Sequence, residues 1–500
     1  MSIQYILILS LVAFLAGWII PRQKLVSALL VISLLALFWL QPSTSIRNLD
    51  FWLPLVSLAL TVLTWAIISP LEGRSLRRIL PVILGILLLP LIIAANRYLD
   101  PYCCLTPSRP PQFLPVLAAS VGIAGLFLAV YLLRPQRRVL SWLGIVLLLA
   151  VFIVLKSQTL AQLASGWLRG LTGQPVDLAS ASDLTWLGFS FLAFRLLHVL
   201  RDSQAESQVR RLPAGSLSEF TTYALFFPAV VSGPIDRLQH FSAELARLPA
   251  RPFWSRRARP DSASISEPSQ PWFEDIVRDD INGLWRILNG CFKKFVLADG
   301  LALFALNAQN ASQTHTTAWM WVLLLAYTLR IYFDFAGYTD VAIGIARLVG
   351  INLPENFNRP YLKQNLTAFW NSWHITLSQW FRSYIFFPLT RALRTRAGST
   401  PVWLTILAGQ LVTMGLIGLW HGISWNFLIW GLWHGLGLFI QNRWSDWLKG
   451  RLDLSSLSRP VSLLLQFGGW LLTFIYISLG WVWFALPTPL QAIQVFRILL

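Results

Sequence analysis

Through the first 155 positions, apolar residues run in long blocks and polar residues fall between them. The blocks lie at roughly 4–20, 25–40, 51–69, 79–95, 113–133 and 139–155. Each is close to the ~20 residues that a helix needs to cross the hydrocarbon of a bilayer. Almost no ionisable residue interrupts them, so they read as scaffold helices without acid–base chemistry of their own. Pro21-Arg22-Gln23-Lys24 and a second apolar run follow the first block at once, which predicts a retained span and not a cleaved signal.

From about residue 183 the apolar runs shorten and polar groups enter them. Polar or non-helical backbone at membrane depth is stable only where protein buries it or a wet cavity meets it. Residues 245–273 are rich in Pro, Ser and Arg and read as a surface loop, cytoplasmic by charge. Beyond it, 285–306, 317–333, 402–419, 425–441 and 462–485 are plausible spans. The predicted fold is therefore all-α: a polytopic membrane protein with about 11 transmembrane helices and shorter re-entrant or interfacial helices between them. The pattern divides the chain into N-terminal scaffold helices, 1–182, a polar-interrupted core, 183–441, and a C-terminal transmembrane segment, 442–500.

Composition agrees. Of 500 residues, 55% are hydrophobic and 12% charged, about half the charged share of a soluble protein. The 40 Lys and Arg exceed the 22 Asp and Glu, for a net charge of +18. In a polytopic chain such an excess belongs in cytoplasmic loops, so nucleic acid is not expected as a partner and the lipid bilayer is. Loops 21–24, 70–78 and 134–138 hold eight Lys and Arg, against three in loops 41–50 and 96–112. That alternation predicts an outer N-terminus, with Arg74, Arg77, Arg78, Arg134, Arg137 and Arg138 in the cytoplasm. Cys103, Cys104 and Cys291 form no disulfide framework, and no Cys/His pair has zinc spacing, so no metal is expected.

The densest polar region is 329–390. Arg330, Asp334 and Asp340 sit there beside strongly apolar sequence, and Arg330 and Asp334, four apart, are placed to pair on a helix. Two prolines and three asparagines within 352–361 break any long helix. Of six histidines, His240 and His315 lie in polar surroundings and read as solvated. His198 ends an apolar run beside Arg201 and Asp202 and reads as interfacial. His374, His421 and His434 are embedded in Trp-rich apolar sequence, where an ionisable group marks a functional site by default. A buried imidazole bonded to backbone is the plain alternative for each, and the residues themselves do not choose among the three. There is no P-loop, no GxGxxG after a strand, no HExxH and no GxSxG elbow.

Three segments then carry a resemblance: Tyr-Phe-Asp-Phe-Ala-Gly-Tyr-Thr-Asp (332–340), Pro-Glu-Asn-Phe-Asn-Arg-Pro-Tyr (354–361) and Phe-Trp-Asn-Ser-Trp-His-Ile-Thr-Leu-Ser (369–378). With Trp420-His421-Gly422 they resemble the membrane-bound O-acyltransferase family, in particular its bacterial branch of alginate O-acetyltransferases and teichoic-acid D-alanyl transferases. Gly188-Phe189-Ser190-Phe191, Phe226-Phe227-Pro228, Ser232-Gly233-Pro234-Ile235 and Lys293-Lys294-Phe295-Val296-Leu297-Ala298-Asp299 support it, over about 183–440. The resemblance implies a central tunnel and two active-site positions, His421 and His374. Asn371, Trp373, Trp420, Asp334, Asp340 and Arg359 would bind substrate or support the site.

It also implies the reaction. Imidazole, with a pKa of about 6.5, can take the proton of an attacking hydroxyl at neutral pH. His421 would be the general base or orient the hydroxyl, and His374 would polarise the acyl carbonyl or support His421. No cofactor is expected to stay bound. The co-substrate would be an acyl thioester, acetyl-CoA or an acyl-carrier protein, entering from the cytoplasm. The acceptor would be a polysaccharide, envelope polymer or relay protein on the outer side, and the chain a multi-pass protein of the bacterial cytoplasmic membrane. A polytopic transporter or polysaccharide-export component is the alternative, although no internal repeat is evident. An inactive scaffold is a third reading, against which the intact histidines stand.

Overall fold

A computed structural model describes residues 2–69, 76–99, 105–204, 212–213, 215–248, 271–396, 401–451 and 458–500. Among them every regular element is helical. Eight helices are long and apolar enough to cross a membrane: Arg22–Leu40, Leu49–Ile68, Ile79–Tyr98, Phe113–Leu132, Arg137–Lys156, Thr317–Leu348, Val402–His421 and Arg459–Ala485. The chain is a polytopic membrane protein, and among the described residues eight of the expected spans meet that length and hydropathy. The other three expected spans are helical too. Ile3–Ile19 has only 17 residues. Around 285–306, helix Pro271–Cys291 gives way to a π-helical stretch, Phe292–Ala298, that carries Lys293 and Lys294. Trp425–Lys449 ends in charged sequence that includes Arg443 and Asp446.

Two compact units form, Met1–Leu288 with Val341–Leu353 and Asn289–Asp340 with Pro354–Leu500. In the first, Phe38, Phe51, Leu55, Ile93, Ala94 and Val116 make a buried apolar cluster. A short amphipathic helix, Gln158–Leu171, follows the Arg137–Lys156 span. Ala161, Ser165 and Arg169 face the protein, while Leu163, Trp167 and Leu171 are exposed. Arg169 Nε donates to Asp183 Oδ2 at 2.9 Å. Burial alone would raise the Asp183 pKa, but hydrogen bonds from Arg169, Ser165 and Ser180 overcome it and hold it at about 2.

Histidine 198 is not interfacial. It is fully buried, with Nδ1 3.1 Å from the Phe194 carbonyl and Nε2 3.3 Å from the Tyr223 hydroxyl. The apolar run before it is one face of a helix, Phe189–Asp202, whose buried side continues through His198. Arg195 on the same helix donates to the Ala224 and Ala229 carbonyls, each at 3.0 Å. Those bonds satisfy one carbonyl in the last turn of helix Leu217–Leu225 and one in the non-helical segment that follows it. His240, read as solvated, is half-exposed, and its Nδ1 lies 2.9 Å from an Asp236 carboxylate oxygen. His315 is exposed, as read.

The loop expected at 245–273 is shortened from both ends by helices Leu238–Arg247 and Pro271–Cys291. Its residues 249–270 lie outside the described residues, as do Arg74, Cys103 and Cys104.

In the second unit, helices Val402–His421 and Trp425–Lys449 form a tight antiparallel hairpin. Glycine makes the close approach: a Cβ added at Gly418 would lie 2.0 Å from the Phe427 carbonyl oxygen. Small residues that let backbones touch are the usual basis of helix pairing in a membrane, where apolar side chains gain little over lipid. The hairpin fixes His421, the last residue of its first helix.

Candidate functional site

The second unit also holds the irregular segment between helices Thr317–Leu348 and Val402–His421. Residues 354–358 carry no regular secondary structure, Arg359 after them takes the left-handed region at φ 47°, and two main-chain bonds stitch the segment to the turn at 371–375: Asn358 N to Ser372 O at 3.0 Å and Ile375 N to Asn356 O at 2.9 Å. His374 stands at that turn, just before helix Ile375–Phe381, with φ 41° and ψ 55°. The left-handed region costs a non-glycine residue about 1–2 kcal/mol, so the surrounding bonds hold the imidazole where it would not settle alone.

His374 is 2% exposed. Its Nδ1 is 3.0 Å from Asn356 Oδ1, which also accepts from Thr376 Oγ1 at 2.9 Å and from the Thr376 backbone N–H at 3.3 Å. A backbone N–H can only donate, so the atom it meets is the amide oxygen, and His374 Nδ1 must carry the proton. Nε2 then has a bare lone pair, and it has no hydrogen-bond partner. Burial pushes the His374 pKa down to about 3, so the ring is neutral at physiological pH.

His374 and His421 flank one indole. The Trp420 ring lies 5.8 Å from the His374 ring and 4.5 Å from the His421 ring, centroid to centroid. The two imidazoles are thus no further apart than those distances laid end to end. Phe335 of helix Thr317–Leu348 closes on the other side of His374 at 4.7 Å. Half-buried His421 meets Phe484 at 4.7 Å and Trp430 at 5.4 Å.

The remaining expected site residues separate. Trp373 is a core residue, packed on Phe357, Tyr361, Phe369 and Trp481. Asn371 is exposed, and its Oδ1 accepts from Arg382 Nη2 at 2.6 Å. Arg359 is exposed. Asp334 pairs with Lys294 and not with Arg330, and Asp340 pairs with Lys293 at 2.6 Å. The helices carrying these pairs touch at Gly337, where an added Cβ would come 2.7 Å from the Gly290 carbonyl oxygen. The π-helical turn lets two successive lysines reach the same neighbouring helix, which spacing along one helix could not reveal. His434 is fully buried among Trp370, Trp430, Tyr476 and Trp481.

Asn356 was not singled out in the sequence. Its only signal is its place inside the Pro-Glu-Asn-Phe segment, among three asparagines of similar promise. A cavity of roughly 230 Å³ lies against helices Ile375–Phe381 and Val402–His421, with Ser378, Arg382, Gln410, Thr413 and Ile417 among its walls. Among the described residues, no three His, Cys, Asp or Glu side chains gather as a metal ion would require.

A model described as MBOAT, membrane-bound O-acyltransferase family, matches residues 124–484. Peptidoglycan O-acetyltransferase of Helicobacter pylori is 34% identical over 292 residues, which are 56% of this chain and 47% of that protein. The probable alginate O-acetylase AlgI of Pseudomonas aeruginosa is 32% identical over 299 residues, 60% of this chain and 48% of that protein. Teichoic acid D-alanyltransferase of Streptococcus thermophilus is 30% identical over 279 residues, 54% of this chain and 60% of that protein. The chain spans about half the length of the curated relatives it matches. With the family match covering well over half of its residues, including both histidines and the loop that seats them, the chain belongs to the membrane-bound O-acyltransferase family.

Proposed function

We propose that this protein transfers an acyl group, acetyl, from an acyl thioester to a hydroxyl of an exported polysaccharide, envelope polymer or relay protein. The donor, acetyl-coenzyme A or an acyl-carrier protein, approaches from the cytoplasm and the acceptor from the outer side. The protein works in the bacterial cytoplasmic membrane. The loop charges support that orientation, and the relatives' names support the classes of acceptor.

The observation that carries the reading is the pair of imidazoles on either side of Trp420, one locked as a neutral tautomer by Asn356. Half-buried His421 takes the proton of the acceptor hydroxyl as its oxygen attacks the thioester carbonyl. The tetrahedral intermediate collapses, the carbon–sulfur bond breaks, and the departing thiolate takes that proton back. Of the two roles expected for His374, its bare Nε2, which accepts and does not donate, supports the second over polarising the carbonyl. It keeps the supporting role, accepting a hydrogen bond from the hydroxyl or from protonated His421. Asn371, Arg359, Asp334 and Asp340 act around this centre by holding its frame.

Purified protein given an acetyl thioester and a hydroxylated acceptor should release free thiol and acetylated acceptor in equal amounts. His421→Ala should lower that rate about 10²–10⁴-fold, the usual worth of a positioned base, with membrane insertion unchanged. Solute flux across proteoliposomes without thioester cleavage would establish a transporter instead.

A further inference from the structure

Helix Trp425–Lys449 carries an exposed stripe that changes chemistry along its length. Leu432, Leu436, Ile440 and Trp444 follow one another at four-residue spacing and are 38%, 47%, 57% and 59% exposed. Four residues make about one turn, so they share a single face. Its first three members are aliphatic, as suits the hydrocarbon of a bilayer. From Trp444 onward the face becomes aromatic and then cationic. The exposed Trp444 and Trp447 indoles stack at 5.0 Å. The Arg451 guanidinium lies over the Trp447 ring, 4.8 Å from its centroid, and Lys449 beside it is exposed. Arg443 pairs with Asp446 at 2.7 Å. Residues 442–451 thus hold three cations, and their one carboxylate is already paired. Trp403 meets Phe439 at 6.4 Å, so this end of the hairpin is the one where helix Val402–His421 begins, opposite His421.

We propose that residues 443–451 bind the headgroup of an anionic phospholipid, with the Trp444–Trp447 stack as a platform at the membrane surface and Lys449 and Arg451 as the cations that meet the phosphate. Tryptophan collects where hydrocarbon gives way to headgroups, because an indole is largely apolar and carries one N–H. An arginine stacked on a ring keeps its N–H edge free for an oxyanion. By the loop-charge rule a basic end such as this one is cytoplasmic, and that membrane surface carries the negative lipid. A lipid satisfies the whole stripe at once, acyl chains on Leu436 and Ile440 and phosphate on the cations. An acidic soluble protein would meet the cations alone. A zwitterionic headgroup would bring its own cation against Lys449 and Arg451. The bound lipid would fix the depth of the hairpin that seats His421. This inference does not depend on the acyl-transfer reading.

The test titrates the delipidated full-length protein in detergent with phosphatidylglycerol and, separately, with phosphatidylcholine, and reads the tightest bound lipid by native mass spectrometry. Wild type should retain phosphatidylglycerol in preference to phosphatidylcholine. Lys449→Gln with Arg451→Gln should weaken phosphatidylglycerol binding about 25-fold, roughly fivefold for each cation at a membrane surface, and leave phosphatidylcholine binding unchanged. Both side chains are exposed, so the melting temperature without lipid should also stay the same. Trp447→Leu removes the ring beneath Arg451 and should weaken phosphatidylglycerol binding while every charge is kept. Arg137→Gln with Arg138→Gln, two exposed cations at the start of another helix, should have little effect. Equal losses from that control pair would reduce the effect to net charge and overturn the assignment. So would equal retention of the two lipids by wild type. Unchanged lipid affinity in Lys449→Gln with Arg451→Gln, together with lost binding of an acidic carrier protein, would give the surface to a soluble partner instead.

Discussion

Asn356 Oδ1 accepts from His374 Nδ1 at 3.0 Å while it also receives the Thr376 backbone N–H, and this shared oxygen decides which nitrogen of the imidazole is bare. The proton sits on the inner nitrogen, and the lone pair stands on Nε2. On the reading proposed above, this favours an accepting role for His374 over an electrophilic one.

Asn356→Leu removes the oxygen that three donors share. Acyl transfer should fall about a hundredfold, the scale of a misplaced reacting group, together with folded yield. Asn356→Asp keeps an acceptor at the same place and adds a negative charge that favours protonated His374. It should recover much of the yield while shifting the activity profile toward higher pH, because the imidazole must lose a proton that it now holds more tightly. Identical pH profiles in Asn356→Asp and wild type would mean that His374 takes no part in the proton chemistry.

The histidines should behave as one device. His374→Ala and His421→Ala should each be severely impaired, with the double variant scarcely worse than the weaker single, because groups acting together are not additive. His434→Ala is the contrast. It opens a hole among four aromatic rings and should lose thermal stability before activity. A well-folded, inactive His434→Ala protein would move the reactive centre to the wrong side of Trp430.

The two lysine–carboxylate pairs are unequal. The Asp340 side chain is 13% exposed and that of Asp334 48%, so desolvation bears mainly on the first. Asp340→Ala strands Lys293 in a mostly buried place and should cost about 3 kcal/mol, read as loss of folded protein. Asp334→Ala should cost clearly less. Equal losses would show that exposure in this region does not mean access to water.

The stability lent by the His240–Asp236 pair should fall as pH rises. The hydrogen bond that His240 donates to Asp236 is the largest influence on its pKa and raises it, with Glu244 adding to the rise and burial and Arg247 opposing it. Burial raises the Asp236 pKa, against the pull of His240 and Arg195. Both groups bind protons more tightly when folded than unfolded, so the stability they lend is complete below their unfolded pKa values and is lost as pH passes the raised ones. The melting-temperature advantage of wild type over His240→Gln in detergent should therefore shrink between about pH 6 and pH 8. A difference that stays constant over that range would assign the effect elsewhere.

The sequence announced the all-helical, membrane-crossing character through apolar runs with few charges, and the Trp-His segments through their odd chemistry. What it hid lay in contacts between distant residues. Arg330 stood four positions from Asp334 and was the local choice, yet the partner is Lys294, which a π-helical turn brings in from another helix. His198 looked interfacial because charged neighbours follow it, but burial depends on which face the helix presents. Asn356 was invisible because its importance is the lone pair that it leaves on another residue.

The Gly418 contact has a consequence for how such a site can diversify. His421 is seated by main chain lying on main chain, so its position owes little to the side chains one to three turns behind it. Gln410, Thr413 and Ile417 can therefore be rewritten without disturbing the imidazole, provided that Gly418 stays. The hairpin behaves as a fixed chassis with interchangeable walls. The cavity walls and the seat of the imidazole can drift independently, and an engineer should vary the walls and leave the glycine alone.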